Sequence, residues 1–239
     1  MNNCAVDHLN SLILNKQFTH VYQPIVRFGT GEVHGYEALL RSEEFMSPEE
    51  FFQQAKDSDL LYELDIASIT NAIVKGNDTW NIFINVYPST LCHNSFEAYV
   101  DSISALQKLH QREIIFEINE TEEIDVSILF DVITYMQKKG FKIALDDIGR
   151  GISPFEKLLD LKPDYIKLDR YFAHAIDAAP KKQHMLKLLV NYCHEESILL
   201  ILEGIENEKE LITAKALGVP FGQGYLLGKP LPIDLLSQI

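Results

Sequence analysis

Short runs of apolar and β-branched residues alternate along this chain with longer stretches whose apolar positions recur at helical spacing. The short runs predict strands at Val21–Arg27, Glu32–Leu40, Asn81–Tyr87, Glu113–Ile118, Lys142–Asp146, Tyr165–Leu168, Ile198–Leu202 and Gln223–Leu227. Helices are predicted over Pro48–Val74, Ser89–Leu109, Ile124–Lys139, Pro154–Leu159, Phe172–Glu196 and Glu208–Leu217. Ser47-Pro48 and Ser153-Pro154 read as helix starts, a capping hydroxyl followed by a proline whose missing N–H is not needed in the first turn. Gly140 and Gly218 fall where helices stop. Only Phe28-Gly29-Thr30-Gly31 separates the first two strands, a hairpin-like connection. Beyond it, strand and helix alternate as in βα units around a mostly parallel sheet. Eight strands in 239 residues fit a closed (β/α)8 barrel better than an open, doubly wound sheet.

Composition narrows the class without changing that picture. Hydrophobic residues make up 46% of the chain and charged residues 23%, which excludes a disordered or fibrous protein. The formal charge of −14 argues against a groove for polymeric nucleic acid and against an anionic membrane face. Cys4, Cys92 and Cys193 form no paired spacing and read as reduced thiols. Met1–Lys16 lacks the basic start and apolar core of a signal peptide, and no apolar run reaches membrane-spanning length, so a cytoplasmic location without membrane insertion is expected.

Candidate chemistry appears where polar residues interrupt the strands. Glu37, Asn85, Glu117, Asp146-Asp147, Lys167 and Glu203 each stand in or at the end of an apolar run. An ordinary barrel strand fills such positions with Val, Ile or Leu, because an unpaired buried charge is very costly. One acid at a strand end is usually solvated, and Asp-Asp before glycine is often only a turn. Recurrence on strand after strand instead predicts charges that converge at the C-terminal face, where barrels place their sites. Oxygen donors without clustered His or Cys select Mg2+ or Mn2+ rather than zinc. Neither a P-loop, nor a dinucleotide-binding glycine turn, nor a nucleophile elbow is present. Two adjacent aspartates and a lysine in such a setting suit two-metal hydrolysis of a phosphodiester.

The ordered motifs resemble the EAL domain family. Tyr22-Gln23-Pro24-Ile25-Val26 and Gly35-Tyr36-Glu37-Ala38-Leu39-Leu40-Arg41 are similar to its opening. Ile84-Asn85, Phe116-Glu117-Ile118-Asn119-Glu120, Asp146-Asp147-Ile148-Gly149, Ile166-Lys167-Leu168-Asp169, Glu203-Gly204-Ile205-Glu206 and Gln223-Gly224-Tyr225 follow in the family's order, across roughly residues 18 to 232. The resemblance implies a variant triosephosphate-isomerase-type barrel with one antiparallel strand. It further implies a phosphodiesterase that opens cyclic di-GMP to linear pGpG with two ions of Mg2+ or Mn2+. Glu37, Asn85, Glu117 and Asp146 would hold one ion, with Asp146 bridging to a second supported by Asp147 and Glu203. Lys167 would orient or deprotonate the attacking water, with Gln223 and Glu206 as partners of water and lysine. Gln23 and Arg41 would contact substrate, and Glu120 would steady the loop after Asp147. A homodimer is also implied.

The chain departs from the family at Ile148-Gly149-Arg150-Gly151-Ile152-Ser153-Pro154-Phe155, where Phe-Gly-Thr-Gly-Tyr-Ser-Ser-Leu is usual. This loop is the argument for the alternative reading, a non-hydrolytic EAL-like module that binds cyclic di-GMP or a protein partner. Residues 1–17 are expected to form an N-terminal helical extension and 18–239 the EAL domain, with no sensory or GGDEF-type domain and regulation from outside the chain.

Overall fold

The computed structural model describes residues 3–109, 112–119, 122, 124–149 and 155–236. Among these the strands are β1 (Thr19–Arg27), β2 (Val33–Arg41), β3 (Ile82–Val86), β4 (Ile114–Ile118), β5 (Lys142–Ile148), β6 (Tyr165–Leu168), β7 (Leu199–Leu202), β8 (Phe221–Gly222) and β9 (Leu231–Pro232). Strands β2 to β8 pair in parallel and in sequence order, and β1 closes the barrel between β8 and β2. β1 is antiparallel to both neighbours. The short connection dictates that direction: Gly31 N–H bonds to Arg27 O at 2.8 Å and Arg27 N–H to Glu32 O at 2.9 Å, whereas a parallel return needs a long crossover. β9 adds to the outer edge of β1.

The helices are α1 (Asn3–Leu14), α2 (Pro48–Asp57), α3 (Leu61–Lys75), α4 (Pro88–Leu91), α5 (Phe96–Leu109), α6 (Val126–Lys138), α7 (Phe155–Leu161), α8 (Arg170–Ala173), α9 (Pro180–Glu196), α10 (Glu208–Ala216) and α11 (Ile233–Leu236). Side chains of one parity on the strands, such as Ile84, Phe116, Leu145, Ile166 and Leu200, pack outward into the main core under these helices. The other parity fills the interior with Ile25, Phe83, Ile115, Ala144, Tyr165, Ile201 and Phe221. A second cluster docks α1 through Leu9, Leu12 and Ile13 onto Phe18, Leu40, Phe51 and Leu64.

Several predicted elements are interrupted. Pro48–Val74 is two helices, because Asp59 takes a left-handed turn at φ 55° while the apolar period runs on through it. Ser89–Leu109 breaks at Cys92–Ser95, and Phe172–Glu196 breaks where Ala175 turns left-handed and Pro180 starts a new helix. The eighth strand lies at Phe221–Gly222, not Gln223–Leu227. Residues after Gln223 coil back instead, with Leu226 N–H bonding Ile205 O at 3.1 Å and Gly228 N–H bonding Gly224 O at 3.0 Å.

α3 carries a buried acid that fixes the end of β3. Asp65 is 1% exposed and accepts the Tyr87 N–H at 2.9 Å, two residues past Asn85. Burial pushes its carboxyl from 3.8 up to about 7, against the Tyr87 N–H hydrogen bond that lowers it. The folded state therefore holds this proton after the unfolded chain has released it. Stability contributed here falls as pH rises from about 4 to about 7, by ~4 kcal/mol in all. Asp65→Asn, which keeps an oxygen for Tyr87, is expected to flatten that part of the pH profile. Urea midpoints at pH 5 and 8 for both proteins check it, and parallel profiles would refute it.

Candidate active site

Period-two alternation builds the site. Two residues further toward the C-terminal face from the interior layer, the barrel strands present Gln23, Glu37, Asn85, Glu117, Asp146, Lys167, Glu203 and Gln223. Six of them stand within β1 to β6, and Glu203 and Gln223 stand one residue past the ends of β7 and β8. Gln23 joins although β1 runs the other way, because antiparallel register sets it directly opposite Glu37. Asn85 is likewise level with Glu117. β5 has a register irregularity between Leu145 and Ile148, and Asp147 stands there at φ 56°. That bulge brings consecutive aspartates to one site. Carboxylate oxygens of Asp146, Asp147 and Glu203 lie within 4.8 Å of one another.

Lys167, 1% exposed, sits among the acids. Its Nζ is 2.8 Å from both Glu117 Oε1 and Glu203 Oε1, 3.3 Å from Glu37 Oε2 and 3.4 Å from Asp146 Oδ1. Burial disfavours the ammonium, but Asp146, Glu117, Glu203 and Glu37 together hold it well above the usual lysine range. In this charge state Lys167 donates and cannot accept a proton. Burial raises Glu117, with the Glu37 charge adding to it, and raises Glu203 to about 8. Glu37 is held low instead: burial opposes ionisation, but Lys167 and hydrogen bonds from Gln223 and Asn85 outweigh it. The Gln223 bond, Nε2 to Glu37 Oε2, is 2.7 Å, and the same amide reaches Gln23 Oε1 at 3.2 Å.

The donor set fits divalent cations. Five carboxylates (Glu37, Glu117, Asp146, Asp147 and Glu203) gather around a single ammonium. With every acid ionised they would carry an excess of four negative charges, which two divalent ions would balance while displacing the protons that burial favours on Glu117, Asp146 and Glu203. All their donor atoms are hard oxygens. Asn85 points Nδ2 at Glu37 (3.1 Å) and Glu117 (3.4 Å), so its amide must turn over to offer oxygen to a cation.

Other residues named from the sequence lie further out. Arg41 ends β2, exposed, with Nη1 bonded to Leu40 O at 2.7 Å. Glu206 lines the same cleft, of about 300 Å3, and pairs with Arg170 at 3.4 Å rather than with Lys167. Glu120 and residues 150–154 of the divergent loop lie outside the described residues. Gly149, at φ 95°, does show how the loop begins: a Cβ there would stand 2.3 Å from the Phe172 ring. The cleft is completed by Leu39, Asp169, Arg170, Gly204, Gly224 and Tyr225, to which sequence reasoning gave no role. A signal existed at Gly204, where φ is 72° and a Cβ would meet Arg170 at 2.4 Å.

A family model described as "EAL domain" matches residues 6–230. The chain is 30% identical over 247 residues to the "Probable cyclic di-GMP phosphodiesterase PdeG" of Escherichia coli strain K12, covering 97% of this chain and 48% of that protein. It thus spans about half the length of that relative. The EAL enzyme Bd1971, solved with cAMP and cyclic di-GMP bound, superposes with a TM-score of 0.86 at 26% identity, covering 98% of this chain and 67% of that one. BlrP1 of Klebsiella pneumoniae, solved as a manganese and cyclic di-GMP complex, gives a TM-score of 0.80 at 26% identity, covering 90% and 56%.

Proposed function

The chain belongs to the EAL domain family, and from that premise we propose that it hydrolyses cyclic di-GMP to linear pGpG with two ions of Mg2+ or Mn2+. The observation that supports this reading is the ring of polar residues in or just past every barrel strand, which gathers Glu37, Asn85, Glu117, Asp146, Lys167 and Glu203. Relatives that share the domain bear the corresponding names, and BlrP1 was solved with manganese and the nucleotide.

Glu37, Asn85, Glu117 and Asp146 would hold one ion, and Asp146, Asp147 and Glu203 the other. Such ions supply Lewis-acid polarisation of the phosphate and a water acidic enough to attack at neutral pH. The chain's residues do the rest. Lys167 Nζ keeps its proton and orients the incoming water by donating to nearby oxygens. Gln223 fixes the Glu37 carboxylate through the 2.7 Å bond, and Gln23 extends that brace to the backbone with Nε2 on Gly228 O at 3.1 Å. Arg41 stands at the rim, free to reach a phosphate by rotating off its own backbone. Water's oxygen ends on phosphorus, the bond from phosphorus to one ribose 3′ oxygen breaks, and a proton passes to that oxygen. A homodimer belongs to the same proposal, supported by exposed Ile128 and Phe130 on α6 and Leu159 on adjoining α7.

Incubation with cyclic di-GMP tests it. Product is expected with Mg2+ or Mn2+ and none in EDTA, restored when either cation is added back. No pGpG at micromolar enzyme would overturn the hydrolytic reading, and nucleotide binding without product would place the chain in the non-hydrolytic class.

A further inference from the structure

The tight hairpin that makes β1 antiparallel also removes the crossover helix that would cover β1's outer face. A cavity of about 410 Å3 stands there, between β1, β2, α10 and the segment after β8. Val26, Phe28, Val33, Leu211, Leu227 and Leu231 give it apolar walls. Lys215 of α10 also lines it, with Nζ 5.8 Å from the Phe28 ring centre, as does Lys229, whose Nζ is 5.7 Å from the Tyr225 ring. Neither lysine forms an ion pair among the described residues. Arg27 reaches the cavity too, but its guanidinium is committed to the Phe221 ring at 4.7 Å. Among the described residues no acid lines the cavity, although the chain has 35 acids against 21 lysines and arginines. An apolar hollow lined by two lysines that pair with no acid among the described residues, in a protein of net charge −14, favours an apolar ligand of negative charge.

We infer that this cavity binds a small amphiphilic carboxylate of the fatty-acid class, its hydrocarbon chain against β1 and its carboxylate at Lys215 and Lys229. The volume lies within the roughly 300–1,000 Å3 usual for small-molecule sites. Burial of the hydrocarbon supplies affinity, and the lysines supply discrimination by charge.

The cavity shares a wall with the acidic ring. Pro24 faces the cavity while Gln23, one residue earlier, faces the ring. Gly228 lines the cavity too, and a Cβ on it would stand 2.3 Å from Pro24 Cγ. Its carbonyl accepts the Gln23 amide, which in turn accepts from the Gln223 amide that holds Glu37. A ligand that displaces Gly228 therefore changes the brace on Glu37 through two contacts. That regulatory effect rests on the proposed phosphodiesterase activity, whereas the binding does not.

Calorimetric titration of the full chain with decanoate, below its micelle concentration, tests the binding, with decanol and decyltrimethylammonium as neutral and cationic controls. Decanoate is expected to saturate one site per chain and to bind more tightly than either control. The double variant Lys215→Glu, Lys229→Glu is expected to keep its unfolding midpoint and bind decanoate about tenfold more weakly. Leu231→Trp, whose indole fills the hollow, is expected to abolish binding. Equal binding of decanol, unchanged affinity in the double variant, binding retained by Leu231→Trp, or no saturation would overturn the inference. Binding seen only after removal of residues 237–239 would also overturn it, since the chain's own end would then be the occupant. Measured alongside, pGpG formation separates the two claims: a chain that binds decanoate but makes no product keeps the cavity and loses the enzyme.

Discussion

Lys167→Met is expected to lower turnover of cyclic di-GMP by about 10²–10⁴-fold and to destabilise the metal-free protein by ~3–5 kcal/mol. The two effects have one source. The ammonium is 1% exposed and within 3.4 Å of four carboxylates, so removing it leaves buried negative charges facing one another. Methionine keeps the length of the side chain and loses the charge and donors. Carboxylates freed of the lysine hold protons more strongly, so the stability deficit is largest at pH 8 and shrinks as pH falls toward 5. Mn2+ is expected to recover part of the stability, since cations would neutralise the same acids, and none of the donor function. Urea unfolding at both pH values with and without Mn2+, beside turnover, measures each part. Wild-type stability at pH 8 without metal would show that Lys167 does not hold the acids together.

Asp146→Asn is expected to have the opposite effect on stability and a comparable one on activity. Burial raises the Asp146 carboxyl, and the Glu37 and Asp147 charges add to that, against the Lys167 ammonium and the Asp147 N–H, which lower it. Its ionised form is therefore disfavoured in the metal-free fold, and a neutral amide relieves that. Asparagine Oδ1 can still accept the Asp147 N–H, now 2.9 Å from Asp146 Oδ1. The metal-free variant should unfold at the same or a higher urea concentration than wild type, as expected where a site is built at the expense of stability. Turnover should fall by about 10³-fold, because an acid proposed to serve both ions would underlie several kcal/mol of transition-state stabilisation. Retention of wild-type turnover in Asp146→Asn would remove Asp146 from the proposed site.

Much of the site was legible because strand periodicity is simple. A charged residue two positions past an interior apolar one, as Glu117 follows Ile115 and Lys167 follows Tyr165, must point into the same barrel. Helix boundaries were less legible. Nothing in the apolar spacing of Pro48–Val74 marks the left-handed Asp59, because a one-residue turn costs little where both flanking helices keep their buried faces. Gln223, expected at the start of a strand, stands just past the end of one, where its amide reaches Glu37. Its N–H bonds Leu202 O at 3.0 Å, and Gly224 then presses onto Ile205, where a Cβ would stand 2.2 Å from the carbonyl oxygen. That approach depends on residues far apart in the chain.

The sequence by itself determined where most of the strands lie, the interior parity and the identity of the converging acids, because each follows from local alternation along one strand. Only the tertiary structure decided that Gln23 meets Glu37 from an antiparallel neighbour, that Asn85 turns its nitrogen inward, and that Glu206 pairs with Arg170. It alone also revealed the cavity behind β1. These depend on which surfaces the closed barrel brings together and which it leaves uncovered, and no single segment encodes that.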